Sequence, residues 1–580
     1  MAAAVHFECC VFTDSVILEF ARTRPLRLDN CALASVKARG VSIDGVLRIR
    51  RSDIQGSISL IDATVSQSVR LSGSTIAGDA GLALIANRLR VGGNLFLNRL
   101  STKSNSPDGV EPFSATGEVR LLGVRIDGQL NCSGGRFKNP GGIALFASSA
   151  QIAGNVFLSD GFKATGQVRL LSTRIGGQLN CSGSRFKNPG KTALKASSAR
   201  VSGSVLLRDG FRATGQVRLL SARIGGQLNC SGGRFKNPRK VALNASSSDI
   251  SRSVFLSDGF RATGEVRLLS ARIGGQLICS DGRFKNPRRV ALSASSSEIS
   301  RSVFLRDGFH STGAVRLVGT KIGGRLDCRS GRFDNPGRTA LDLQEARMTS
   351  LVLRGPSLQI AGDVHLFGAT TSALADDPVA LEGQSASLNL DGFVYERFAT
   401  SSPQDVKTRL RWLEFQPEGY YPQPFDQLAV VFRRSGQDQE ATKVLIEKRR
   451  ERRKMLQGWW SKRWDAFWDW SVRYGWQAWR PLAGGTVVFL VVIGLVSVAQ
   501  AAGLVVNLSE KASPYSSFIH ALDVFLPVVD LSVESRWTIN TASGGAFAWL
   551  VMWFLWALKL VGWVAISLAL AALTGIVKRE

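Results

Sequence analysis

A single stretch recurs through the middle of this chain at a fixed interval of 49 residues. VRLLSARIGGQLNCSGGRFKNP begins at Val217, and close variants begin at Val119, Val168, Val266 and Val315. A strict long period is the mark of a solenoid, in which each unit buries its apolar face only against its neighbours.

Inside the repeat a shorter rhythm sets the secondary structure. Val217 and Leu219 stand two apart, Ile224 follows alone, Leu228 and Cys230 are again two apart, and Phe235 comes next. Upstream an 11-residue module is cleaner, with Leu47/Ile49, Ile58/Leu60 and Val69/Leu71 separated by Ile54 and Val65. Pairs at i and i+2 are short strands with one face inward. Glycines such as Gly225 and Gly226 punctuate the bends, and apolar residues at a helical period are missing. Short strands joined by bends of one sense predict a mainly β fold, a parallel β-helix.

Two 11-residue modules make one coil of about 22 residues, so 49 residues hold two coils and an insertion. The insertion falls at FKNP, with its proline at Pro140, Pro189, Pro238, Pro287 and Pro336. Proline cannot donate to a sheet ladder, so this segment should bulge outward. The pattern weakens towards Leu390, which predicts about 16 coils rising ~4.8 Å each.

VRLLSARIGGQL resembles a diverged form of the pentapeptide-repeat and bactofilin class of bacterial β-helices. Leu219, Ile224 and Leu228 approximate the five-residue spacing of central positions in pentapeptide proteins, though spacings of four and eight intrude. The tail is similar to membrane-anchored bacterial proteins carrying PxPFxQLAxVxRRxGxxxxA and LDxFLPVVDL, which stand here at Pro422–Ala441 and Leu522–Leu531. Such relatives bear the label membrane-associated oxidoreductase, so the resemblance implies that activity as one alternative.

Cys132, Cys181, Cys230, Cys279 and Cys328 are in register. With two coils per repeat, successive sulfurs lie about 9.6 Å apart along the axis, beyond the ~7 Å Cα separation that a disulfide tolerates. With one coil per repeat they would stack at ~4.8 Å and bridging would be conceivable. The two-coil reading makes them buried, reduced fillers. With four histidines and no CxxC, a metal ladder is not expected.

The chain carries 73 basic against 45 acidic residues, and Val119–Ala314 alone holds 30 Lys/Arg against 9 Asp/Glu. Three rows repeat. Arg120, Arg169, Arg218, Arg267 and Arg316 form one; Arg125, Arg174, Arg223, Arg272 and Lys321 a second; Arg136, Arg185, Arg234, Arg283 and Arg332 a third. Arg169, Arg218, Arg267, Arg174, Arg223 and Arg272 are the candidate surface for an anionic partner, whether a polyanion or lipid headgroups. The alternative is a solubilising coat copied by duplication. Nucleic acid is not favoured, because the repeats lack Trp and Tyr for base stacking.

No catalytic or cofactor signature stands out. PGKT at Pro189–Thr192 has Arg185 where a phosphate-binding loop needs its first glycine, and sister repeats read PRKV, PRRV and PGRT. No GxGxxG stands between a strand and a helix, and no cofactor is expected.

Three regions are expected: a β-helix over 1–398, clearest over 119–336; a helical adaptor over 399–480; and a membrane domain over 481–580. FDQLAVVFRRSG predicts a helix closed by Gly436, and DQEATKVLIEKRRERRKMLQ a second with Asp438 as its cap. Trp460, Trp464 and Trp468 beside Lys462 and Arg463 predict a helix lying at a bilayer interface. Apolar runs at 482–506 and 546–577 are long enough to span, with a loop at 507–545. FIHALDVFLPVVDL in that loop is too short to span easily and should lie outside or partly re-enter.

MAAAVHFECC shows no cleavable signal peptide. KRRERRK before the first run and Lys578 and Arg579 after the second place the β-helix and both termini in the cytoplasm of a bacterial inner membrane. Lys559 inside the second run is a candidate intramembrane polar site, with Asp523 and Asp530 as possible partners. The expected function is a non-catalytic, membrane-held scaffold with membrane lipids and an unidentified protein or polyanion as partners. A channel-like hairpin is the other alternative, although no TVGYG-type filter is present.

Overall fold

The computed structural model describes residues 5–101, 110–378, 387–473, 479–508, 514–526, 529–542 and 545–573. Residues 5–398 form a parallel β-solenoid of about 16 turns. Its short strands line up into two continuous parallel sheets, and each coil visits both. In one coil, Arg125–Ile126 and Leu130–Asn131 lie in the first sheet and Arg136–Phe146 in the second.

The register fixes two coils per repeat. Leu130 pairs with Val156, and Val156 with Leu179, so alternate coils take 26 and 23 residues. Cys132 is therefore followed by Leu158 on the next coil and by Cys181 only on the one after. All five ladder cysteines are buried as free thiols.

The FKNP insertion is a bulge within a strand. Lys138 pairs with Thr165, yet the next pair is Ile143 with Gln167, so four residues oppose one. Asn139 closes the bulge by donating from Nδ2 to the Ile143 carbonyl at 2.8 Å, and Asn188, Asn237, Asn286 and Asn335 repeat the contact. The facing residue has to be glycine. Gly166 has φ +114°, and a Cβ there would lie 2.3 Å from the Asn139 carbonyl oxygen.

Inside, ten phenylalanines from Phe113 to Phe333 stack one per coil, with ring centroids 5.1–5.4 Å apart. Each is buried, and tilted rings at this spacing add to the burial itself. Phe235 therefore marks a column that alternates between the RFKN and GF(K/R)ATG parts of the repeat.

The chain divides into two compact units, Met1–Gln427 and Leu428–Glu580. In the first, helix α1 (Val406–Leu413) follows the last coil, with Asp405 accepting from the Thr408 N–H at 2.8 Å as its cap. Helix α2 spans Pro422–Arg434, and Gly436 follows it at φ +74° as expected. Helix α3 spans Asp438–Met455; its cap is Gln437, so Asp438 lies in the first turn instead of preceding it. There its carboxylate still meets the positive end of the helix dipole.

Helix α4 (Trp459–Val472) presents Trp460, Trp464 and Trp470 to the outside, with Trp468 half-buried. Helices α5 (Trp479–Ala501) and α7 (Gly545–Leu573) are long and apolar enough to cross a membrane over 483–501 and 545–568. The first is shorter than the apolar run to 506. The helix stops at Ala501, Gly503 takes φ +69°, and Val505–Asn507 forms a strand antiparallel to Trp537–Ile539. Between them lies the short helix α6 (Ser517–Phe525). Lys578 and Arg579 lie outside the described residues.

Candidate functional site

The three arginine rows occupy different surroundings. The first is half-buried and largely engaged as far as Arg267, whereas Arg316 is exposed and lies 3.8 Å from Asp342. Arg169 donates to Gln167 at 2.6 and 2.9 Å and lies over the Phe146 ring, while Arg267 pairs with Glu265 at 2.7 Å. Arg120 pairs with Glu118 at 2.9 Å. Hydrogen bonding to these carboxylates raises the guanidinium pKa of Arg120 and Arg267 above the ordinary value. Arg218 is half-buried too, with no partner for its Nε.

The second row is exposed, and intervening coils decide its net charge. Arg174, Arg200 and Arg223 occupy three successive coils. From there the ladder alternates sign through Asp249, Arg272, Glu298 and Lys321. Arg174 and Arg223 thus belong to a basic patch, whereas Arg272 is flanked by carboxylates.

The third row is filled in by residues between its members. Arg136, Lys163, Arg185, Arg212, Arg234, Arg261 and Arg283 pair in sequence, one cation on each of seven consecutive coils. All seven are exposed, and none has an ion-pair partner among the described residues. A second column two residues along the strand alternates lysine with threonine: Lys138, Thr165, Lys187, Thr214, Lys236, Thr263 and Lys285. The Arg column is about 29 Å long at ~4.8 Å per coil. Its spacing is well inside the Debye length of ~10 Å at 0.1 M salt, so neighbouring charges repel with little screening. Like charges directly opposite on paired strands destabilise a sheet. The wall ends where carboxylates return, with Asp334 contacting His310 at 3.0 Å and Arg332 at 2.7 Å.

Lys163, Arg212 and Arg261 fall outside the three rows that the 49-residue period defines. Their signal is present in the sequence as GFKATG and GFRATG, but they join the row only when the two unequal coils are laid over one another.

In the second unit, Lys559 pairs with Glu534 at 2.8 Å, and not with Asp523 or Asp530. Asp523 is occupied otherwise. Its carboxylate accepts the N–H groups of Leu531 at 2.6 Å, Val533 at 2.8 Å and Glu534 at 2.9 Å. Asp530 is exposed and accepts from the Ser532 N–H at 2.7 Å. The basic end of α3 is partly neutralised by α4, since Asp469 receives Arg450 at 3.1 Å and Arg453 at 3.4 Å. Among the described residues no group of three or more His, Cys, Asp or Glu is placed to hold a metal ion.

Fold and site together define a β-solenoid with a basic wall, joined to a helical region holding two candidate membrane helices. The chain matches no family model, and no curated protein or solved structure is significantly similar to it.

Proposed function

We propose that this protein is a non-catalytic scaffold, tethered to a membrane by α5 and α7, whose solenoid wall holds an extended anionic polymer. The observation that carries the reading is the column Arg136–Arg283, a line of exposed cations on seven consecutive coils, none of them in an ion pair among the described residues. Repulsion along such a line is relieved when an anion lies across it. A line, unlike a broad patch, suits a polymer with charges at regular intervals.

Membrane tethering is supported by the length and apolar character of both helices, by the exposed Trp residues of α4, and by the resemblance of the tail to membrane-anchored bacterial proteins. Two spans put the solenoid and the C-terminus on one side, and the basic Lys448–Lys454 run before α5 favours the cytoplasmic side.

The test is binding of inorganic polyphosphate to the full chain in detergent micelles across a salt series. The expected result is affinity that falls steeply with salt, because bound cations are released. Absence of binding at low salt would leave the wall as a solubilising coat.

A further inference from the structure

Helix α6 packs against both apolar helices: Ala521 and Val524 share one buried cluster with Val492 and Val496 of α5 and Val551, Leu555 and Leu558 of α7, while Phe518 and Ile519 stay exposed. At its start, the Ser517 hydroxyl contacts Ser497 at 2.9 Å and Gln500 at 3.4 Å, near the end of α5. At its finish, Phe525 meets the opposite end: a Cβ on Gly485 would fall 2.9 Å from its ring, and one on Gly562 only 2.1 Å from its carbonyl oxygen. The chain then turns back. The three N–H groups held by Asp523 fold Leu531–Glu534 against α6, and Trp537–Ile539 returns to pair with Val505–Asn507 beyond the end of α5. The segment enters and leaves at the same end of the helix pair.

This geometry has two consequences if α5 and α7 span a bilayer. First, non-helical backbone at membrane depth is tolerated only where protein buries it or water lines it. Second, Lys559 lies about 21 Å along α7 from Gly545 and about 14 Å from Leu568, near the middle of that span, at 1.5 Å per residue. Lys559 and its partner Glu534 are nevertheless 45% and 46% exposed. A charged pair at that depth does not face lipid; it faces a bundle interior or a water-filled cavity. Beside it lies a cleft of about 180 Å³ whose lining includes His520, Glu534 and Thr538, room for several waters.

We propose that copies of the α5–α6–α7 unit associate with the Glu534–Lys559 face turned inward, around a water-filled path for small cations that the re-entrant segment lines. The proposal rests on the membrane reading above. A second copy is the occupant because the exposed face offers a carboxylate and an ammonium side by side, which is self-complementary across a symmetric contact. Cations are favoured on two grounds. The C-terminal, partially negative end of α6 points into the helix pair, as in discontinuous helices that bind small cations. Among the described residues of the segment, Asp523, Asp530 and Glu534 outnumber Arg536, and still do when Lys559 of α7 is counted with it.

The test uses the full chain reconstituted in liposomes, with native mass spectrometry for stoichiometry and a potential-sensitive dye reporting K⁺ flux. Retention in the vesicles after an alkaline carbonate wash reports on the membrane reading separately. The expected result is a retained oligomer with a K⁺ conductance that persists when chloride is replaced by gluconate and is lost when K⁺ is replaced by choline. Glu534→Gln should cut K⁺ flux about tenfold, equivalent to ~1.4 kcal/mol, by leaving Lys559 unpaired in the path. Lys559→Arg, keeping the pair, should retain the parent flux, and an unchanged oligomer mass shows that each variant has folded. A retained monomer without conductance, or an anion-selective conductance, overturns the proposal while the membrane reading stands. Extraction by carbonate overturns both.

Discussion

The guanidinium of Arg409 donates two hydrogen bonds to the carboxylate of Asp376, Nη1 at 2.7 Å from Oδ2 and Nη2 at 2.8 Å from Oδ1, and both residues are buried. Arg409 also donates from Nε to the Pro403 carbonyl at 2.9 Å and stacks over Phe398. The pair ties α1 to a late coil and closes the end of the solenoid. Removing one partner leaves an isolated buried charge, so Arg409→Met should destabilise by ~3–5 kcal/mol. Arg409→Met with Asp376→Asn should recover part of that loss. Denaturant melts followed by β-sheet circular dichroism measure both, and equal damage from single and double variants would refute the account.

Acid should weaken one particular coil. Burial pushes the Asp327 carboxyl up, but hydrogen bonds from the Arg329 side chain and backbone, with the Arg306 charge, outweigh it and hold the pKa below the ordinary 3.8. The folded state therefore binds fewer protons than the unfolded state across that interval. Its contribution is complete above the ordinary value and is lost as pH falls through the lower folded-state value. Asp327→Asn should flatten the pH dependence of the melting temperature below pH 4 while lowering stability at pH 7. An unchanged acid limb would contradict this.

Thiol chemistry should separate the eight cysteines. Burial pushes the five ladder thiols well above the ordinary 9.0, which keeps them protonated and unreactive, and Cys31 is raised by burial too. Cys9 is exposed and Cys10 partly so. Two thiols should react quickly with an aromatic disulfide reagent at pH 8 and the other six only on unfolding. Rapid modification of Cys230 located by mass spectrometry would count against the packed interior.

The rows should differ in function. Arg185→Gln, Arg212→Gln and Arg234→Gln together should reduce the salt slope of polyphosphate binding by about one per charge removed. Arg169→Gln, Arg218→Gln and Arg267→Gln should change it less, because Gln167 and Glu265 already engage two of these groups. The third-row triple variant should melt no lower than the parent, since relieved repulsion offsets any lost packing. Equal slopes for the two sets would remove the wall as the binding surface.

Asp523→Asn should loosen the re-entrant turn. The carboxylate accepts three N–H groups on two oxygens, whereas an amide offers a single acceptor oxygen. Faster hydrogen exchange at Leu531, Val533 and Glu534, with exchange in α5 unchanged, is the expected signature. Unaltered protection at all three would argue against the clamp.

The sequence by itself determined the solenoid, its coil count and its inward residues. Pairing at i and i+2 fixes which side chains face in, and the 11-residue module sets two coils of about 22 residues in each 49-residue period. It also determined the bulge, because proline withdraws a donor wherever it stands, and the two apolar helices, because length and composition suffice for those. Only tertiary structure decided which charges matter. Arg169 and Arg185 read alike in one repeat, yet one is engaged by Gln167 and the other stands in an unbroken column. The difference arises from unequal coils, whose spacings of 22 and 27 residues in this column bring Lys163 and Arg212 beside Arg185. Tertiary structure likewise gave Lys559 its partner. Glu534 stands 25 residues away along the chain, and a re-entrant fold that no local period encodes brings it within 2.8 Å.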